Sequence, residues 1–154
     1  MLYRITFVVA VIALAATTAA HSASASKSAG KTIKAMLFYT GLTNLDADHN
    51  GKASIGDYAI APGFFVTAHG MRMGSVRASC LQMNAGGTEY NCTDVNHFAG
   101  GDILTSGRFS PLEKSNREAI IGGTGVYAGM HGTLLTKWLT RDFSRAAVTF
   151  TLQP

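Results

Sequence analysis

Apolar residues in this chain recur at every second position, and that spacing predicts strands rather than helices. "SRAAVTFTL" places Ala146, Val148, Phe150 and Leu152 on one face and Arg145, Ala147, Thr149 and Thr151 on the other. "GDILTSGRF" alternates Ile103, Thr105, Gly107 and Phe109 against Asp102, Leu104, Ser106 and Arg108. "TIKAMLFYT" is apolar on both faces beyond Lys34, the pattern of a strand buried on both sides. The pattern gives eight strands, near residues 32–40, 57–68, 71–83, 88–97, 101–110, 116–122, 131–139 and 144–152. Turn-forming runs such as "DADHNG", "NAGG", "AGG", "SPLEKS" and "TRDFS" separate most of them. So many strands on one small core mean a sandwich or a barrel. The expectation is an all-β fold, a closed eight-stranded antiparallel β-barrel, because closure leaves no open edge to aggregate.

The first segment does not join this pattern. "MLYRITFVVAVIALAATTAAHSASAS" has one early cation, Arg4, an apolar run from Ile5 to about Ala16, and then small residues. That order predicts a cleaved secretory signal over residues 1–25, with Ala20 and Ala25 as alternative cleavage points. The run is short for a retained membrane anchor. A linker over 26–31 and a single barrel domain over 32–154 complete the organisation, and a secreted or periplasmic location follows.

Composition changes the picture only a little. Charged residues make up 14% of the chain and apolar ones 47%, with 17 Gly against 3 Pro, which suits a β protein with many tight turns. The net charge is +4, and Lys and Arg nowhere form the stripe that nucleic acid requires. Nucleic acid is therefore not an expected partner, nor is a membrane once the leader is removed.

Cys80 and Cys92 lie equally far from Gly86, the middle of "NAGGT". In a hairpin turning there they face each other across the ladder, and outside the cytoplasm such a pair oxidises. A Cys80–Cys92 disulfide is expected. "NCT" at Asn91 is also a glycosylation acceptor in a eukaryotic source.

The stretch "REAIIGGTGVYAGMHG" carries Gly123, Gly125 and Ala128 at the spacing of a dinucleotide-binding turn. Such a turn needs a helix after it and a parallel strand beyond. Here "VYAGMHGTLLTKW" follows, interrupted by Gly129 and Gly132, and too little chain remains for the rest of a doubly wound sheet. The glycines instead suit a wide corner between two strands, with Tyr127 tucked into the barrel's end.

This segment resembles the glycine corner of plant dirigent proteins and the matching segment of allene oxide cyclases. "IGDYAIAP", "GMRMGSVRASC" and "GGDILTSGRF" are similar to further strands of that superfamily, so the resemblance runs from about Thr32 to Leu152. It implies an eight-stranded barrel that confines an apolar, often unstable small molecule without a cofactor, as cyclases and dirigent proteins do by orientation. It also implies a homo-oligomer, a dimer or trimer. Both plant groups place an acid near the end of the first strand, where this chain has Thr40 and Gly41, and the corner's arginine is here His131.

Polar side chains inside a barrel must be paired or useful. The candidates for a ligand pocket are Tyr39, Arg72, Arg77, Arg117 and Tyr127, with Glu118 as the alternative to Arg117, since neighbours in a strand face opposite ways. His131 is the candidate proton-transfer group, although alternation sets it with Thr133 and Lys137 on the outside. Trp138 and Phe150 are expected in the core or an interface.

"DADHNGKASIGD" sets Asp46, Asp48, Asn50 and Asp57 at positions of a calcium loop, with Gly51 at its glycine position. Flanking helices are lacking, the eighth position is Ala53, and Asp57 stands where the longer Glu is usual, so a solvated turn is the default and no metal is expected. Three uses of the barrel remain open: a cofactor-free cyclase or isomerase, a lipocalin-like carrier, and a scaffold with a filled interior.

Overall fold

The computed structural model describes residues 30–154, so the expected leader, with Ala20 and Ala25, lies outside the described residues. Nine strands follow in order: β1 (Lys31–Tyr39), β2 (Thr43–Leu45), β3 (Tyr58–Val66), β4 (Arg72–Gln82), β5 (Tyr90–Phe98), β6 (Gly101–Phe109), β7 (Ser115–Gly123), β8 (His131–Trp138) and β9 (Arg145–Gln153). From β3 to β9 each strand pairs antiparallel with the next, and β9 returns to β1 from Lys31↔Leu152 to Phe38↔Arg145. β1 also pairs with β3, from Met36↔Val66 to Tyr39↔Gly63. That seam closes an eight-stranded antiparallel barrel. β2 is an addition laid along β3 through Thr43↔Ile60, and its three residues are all exposed. With no buried face it has no alternation to detect.

Along β1 the inner residues Ile33, Ala35 and Leu37 are buried, whereas Met36 and Phe38 are only half-buried on the outer wall. The expectation of burial on both sides is therefore corrected. Phe38 stacks on Phe64 across the β1–β3 seam at 5.5 Å, and the Arg72 guanidinium lies 5.2 Å from the Phe64 ring centre. A cross-strand pair under a cation accounts for apolar residues on that face without a second layer.

One end of the barrel is solid. Phe65, Phe98 and Phe150 meet with ring centres 5.0 to 5.8 Å apart, and Ile103 and Leu152 are fully buried around them. Each such side chain contributes about 1.5–3 kcal/mol by leaving water. Tyr127 seals this end with its ring 6.3 Å from Phe98.

The glycine corner carries Tyr127 there on a single 3-10 turn, Gly125–Tyr127, and the next element is the antiparallel β8. A dinucleotide turn is thereby excluded. Gly125 has φ +58°, and a Cβ on it would collide with the Gly100 carbonyl oxygen, which accepts the Val126 N–H at 2.9 Å. Glycine is needed here for close approach of backbone to backbone.

Candidate functional site

The other end is open. Its cavity, of about 560 Å³, is within the range of small-molecule sites. The walls there include small side chains, Ala59 and Ala61 of β3 and Ala78 of β4, which leave the space that phenylalanines fill at the opposite end. Cys80 and Cys92 pair directly across β4 and β5, and their disulfide lines the same wall. Among the described residues no cysteine is free. The bridge fits an oxidising, extracytoplasmic compartment.

Five aromatic rings line the cavity: Tyr39, Tyr90, Phe109, Trp138 and Phe143. Phe109, Trp138 and Phe143 pack edge to face at 5.2 to 5.7 Å, and Tyr39 stacks on Trp138 at 6.2 Å.

Two carboxyl groups sit deeper, Asp94 of β5 and Glu118 of β7. They arrive by period two: Cys92, Asp94, Asn96 and Phe98 all turn inward, as do Asn116, Glu118 and Ile120. Asp94 is 5% exposed and its Oδ1 has no hydrogen-bond partner among the described residues. Glu118, also 5% exposed, is held on both oxygens. The Thr105 hydroxyl donates to its Oε2 at 2.7 Å, and the Asn116 amide donates to its Oε1 at 3.4 Å. Thr105 in turn accepts from the Asn96 side chain at 3.3 Å. Asn116 accepts from the Trp138 indole N–H, a pure donor, at 2.8 Å.

Both side chains that reach Glu118 donate to it, which suits a carboxylate. Burial raises the Glu118 pKa, and the Thr105 bond pulls it back. Burial and then the Glu118 charge push Asp94 well above the ordinary carboxyl range. Of the two acids Asp94 is thus held further toward its protonated form, while the hydrogen bonds to Glu118 favour its carboxylate. Burial, then Asp94 and Glu118, raises the Tyr39 hydroxyl as well, so it stays protonated and can donate. At the rim, hydrogen bonds from Thr140 and Ser144 lower Asp142 to about 2.

Of the residues expected at a pocket, Tyr39 lines this cavity. Arg72, Arg77 and Arg117 stand exposed on the outer wall, where their guanidinium groups keep their water, so their expected place inside is corrected. Tyr127 is buried, but in the filled end away from the cavity. His131 is exposed at the start of β8, on the outer face. Phe150 is core and Trp138 lines the mouth. Asp94, Asn96, Thr105 and Asn116 were not singled out from the sequence.

The polar loop after β2 brings one carboxylate oxygen each of Asp46, Asp48 and Asp57 within 4.8 Å of one another, and these are the residues whose oxygens could meet on a cation. Their partners in the structure are the chain itself: Gly51 N–H donates to Asp46 at 2.7 Å, and Ala47 and Ser54 N–H donate to Asp57 at 2.9 and 2.8 Å. The Asn50 side chain donates to Asp48 at 2.7 Å.

No protein-family model matches the sequence, and no curated protein matches it. Solved structures do. A pyocyanin demethylase superposes with a TM-score of 0.67 at 21% identity, over 80% of this chain and 100% of that one. A pterocarpan synthase dirigent protein gives 0.65 at 17% identity, over 82% and 94%. The fold is that of the dirigent-like barrels. The Diels–Alderase AbmU from Streptomyces koyangensis is similar too, with a TM-score of 0.64 at 18% identity over 79% of this chain and 63% of that one. At these identities the likeness concerns the dirigent-like barrel itself, while the acid pair and its aromatic mouth are read from this chain alone.

Proposed function

We propose that the protein is an extracytoplasmic dirigent-like barrel that admits an apolar small molecule through its open end and isomerises or cyclises it by proton transfer. Two buried carboxyl groups in an open cavity, one without a partner, carry this reading. A buried polar group left unpaired costs about 1–3 kcal/mol, and a scaffold gains nothing from it. Asp94 donates its proton to an oxygen or carbon of the ligand, and the Glu118 carboxylate removes one elsewhere. The pair holds one proton before and after, moved from Asp94 to Glu118, so an isomerisation balances. The Tyr39 hydroxyl is placed to orient the ligand, and the rings of Trp138, Phe109 and Phe143 exclude water. The similar structures are enzymes or dirigent proteins by name, which supports a chemical role over a purely structural one.

Native mass spectrometry of the protein purified from its own source tests occupancy by the mass of a retained molecule. That molecule, extracted and returned to the protein in deuterium oxide, should exchange hydrogen with wild type. Asp94→Asn should slow the exchange by about a hundredfold, the usual weight of a positioned acid or base. Binding without exchange in wild type would make the barrel a carrier, and a protein that retains nothing would speak for a scaffold.

A further inference from the structure

We propose that the ligand of this cavity is an organic cation with a flat, apolar body. The inference rests on the cavity being a ligand site and goes further by assigning the ligand's charge.

The distribution of charge carries it. The chain has 13 Lys and Arg, 5 His and only 9 Asp and Glu. Yet the acids Asp94, Glu118 and Asp142 line the cavity, and none of its described lining residues is Lys, Arg or His. A third of the acids of a basic protein therefore face one space that its cations avoid. Nor is the charge cancelled from within the wall. The described ion pairs are His97–Asp102 and those joining Arg108 to Glu89 and Glu113, all elsewhere.

Each kind of ligand meets this wall differently. An anion would add a like charge in a region of low dielectric, where repulsion is strong. A neutral molecule would displace water from the Glu118 carboxylate without supplying anything to balance its charge. A cation supplies the missing partner for a wall on which Asp94, Glu118 and Asp142 are the charged side chains.

The remaining lining favours an organic cation over a metal ion or a small ammonium. Aromatic faces attract cations, by about 0.5–2 kcal/mol each, and five rings surround this space. The disulfide and Ala59, Ala61 and Ala78 offer no oxygen ligands, and they suit the apolar body of a planar molecule. The volume of about 560 Å³ accommodates roughly two or three fused rings. Asp142 stands at the rim with its carboxylate fixed by the Ser144 N–H and hydroxyl at 3.1 and 2.8 Å, which places a lasting negative charge at the entrance to steer a cation inward.

The test uses three probes of nearly one shape and different charge: N-methylquinolinium, methylnaphthalene and naphthoate, titrated calorimetrically into wild-type protein. N-methylquinolinium should bind at least about tenfold more tightly than methylnaphthalene, a difference of about 1.4 kcal/mol, and naphthoate more weakly than both. In the Asp94→Asn/Glu118→Gln double variant that preference should shrink to what the rings and Asp142 alone supply, while detectable binding of methylnaphthalene shows that the cavity has survived. Equal or tighter binding of methylnaphthalene or naphthoate to wild type would overturn the charge assignment and leave the ligand site standing, as would a preference undiminished in the double variant. Binding of none of the three would instead remove the ligand site itself. Because the wild-type comparison decides the charge preference by itself, a variant that fails to fold does not protect the proposal.

Discussion

The indole N–H of Trp138 donates to the side-chain oxygen of Asn116 at 2.8 Å, and that bond turns the Asn116 amide N–H toward Glu118. A residue at the mouth thereby orients a donor to the buried carboxylate. Trp138→Phe keeps an aromatic ring but leaves the buried Asn116 oxygen unpaired, so it should lower stability by about 1–2 kcal/mol. Urea unfolding followed by circular dichroism measures it. A midpoint unchanged from wild type would show that the bond does not order the network.

Asp94 gives a pH dependence of definite sign. Its folded pKa is raised, first by burial and then by Glu118, above the unfolded value of about 3.9. Its contribution to stability is therefore complete below that value and is lost as pH rises through the folded pKa. Asp57 and Asp142 are shifted the other way by hydrogen bonds, so their contributions are present above the ordinary carboxyl pKa and are lost on acidification. Asp94→Asn should match wild type near pH 4 and exceed it by about 1 kcal/mol near neutrality, the order of cost of a buried unpaired group. Melting temperatures across that range check this. A gap that narrows as pH rises would contradict the assignment of the proton to Asp94.

The fold was legible where one face of a strand is apolar and the other wet. Ala146, Val148, Phe150 and Leu152 alternate cleanly, and all four are buried. β2 was not legible, because Thr43, Asn44 and Leu45 bury nothing. The acid site was hidden for the opposite reason. In "YNCTDVNHF" the inner row Tyr90, Cys92, Asp94, Asn96 and Phe98 carries an acid and an amide while the outer row carries Val95, so pattern does not single out Asp94 as facing in. Neighbouring Arg117 and Glu118 had to point opposite ways, but alternation does not decide which enters the barrel. The one signal available was the cysteine pair. Once its bridge lies on the inner wall, period two carries Asp94 there as well.

Gly132 should tolerate no side chain. It has φ +142°, and a Cβ there would strike the Thr151 carbonyl oxygen on β9. Gly132→Ala combines a backbone conformation that L-residues avoid with a clash inside a ladder, and should cost about 2–4 kcal/mol. Gly129 also has positive φ, but a Cβ there would meet nothing within 4 Å, so Gly129→Ala should cost about 1 kcal/mol through backbone conformation alone. Comparing the two urea midpoints separates crowding from dihedral preference. Equal losses would mean that the ladder yields to the methyl group.

The Cys80–Cys92 bridge closes a short loop, its ends 12 positions apart. A loop of that length loses unfolded-state entropy equivalent to about 3 kcal/mol when cross-linked. The two strands it joins, β4 and β5, are already paired along nine positions from Gly74↔Phe98 to Gln82↔Tyr90, so the ladder holds without the covalent link. The double variant Cys80→Ser/Cys92→Ser should therefore fold into the same barrel and unfold at lower urea, by about 3 kcal/mol in stability. A reductant should shift wild type by a similar amount and leave the variant unmoved. A variant that shows no cooperative transition at all would mean that the bridge, and not the ladder, holds the cavity wall together.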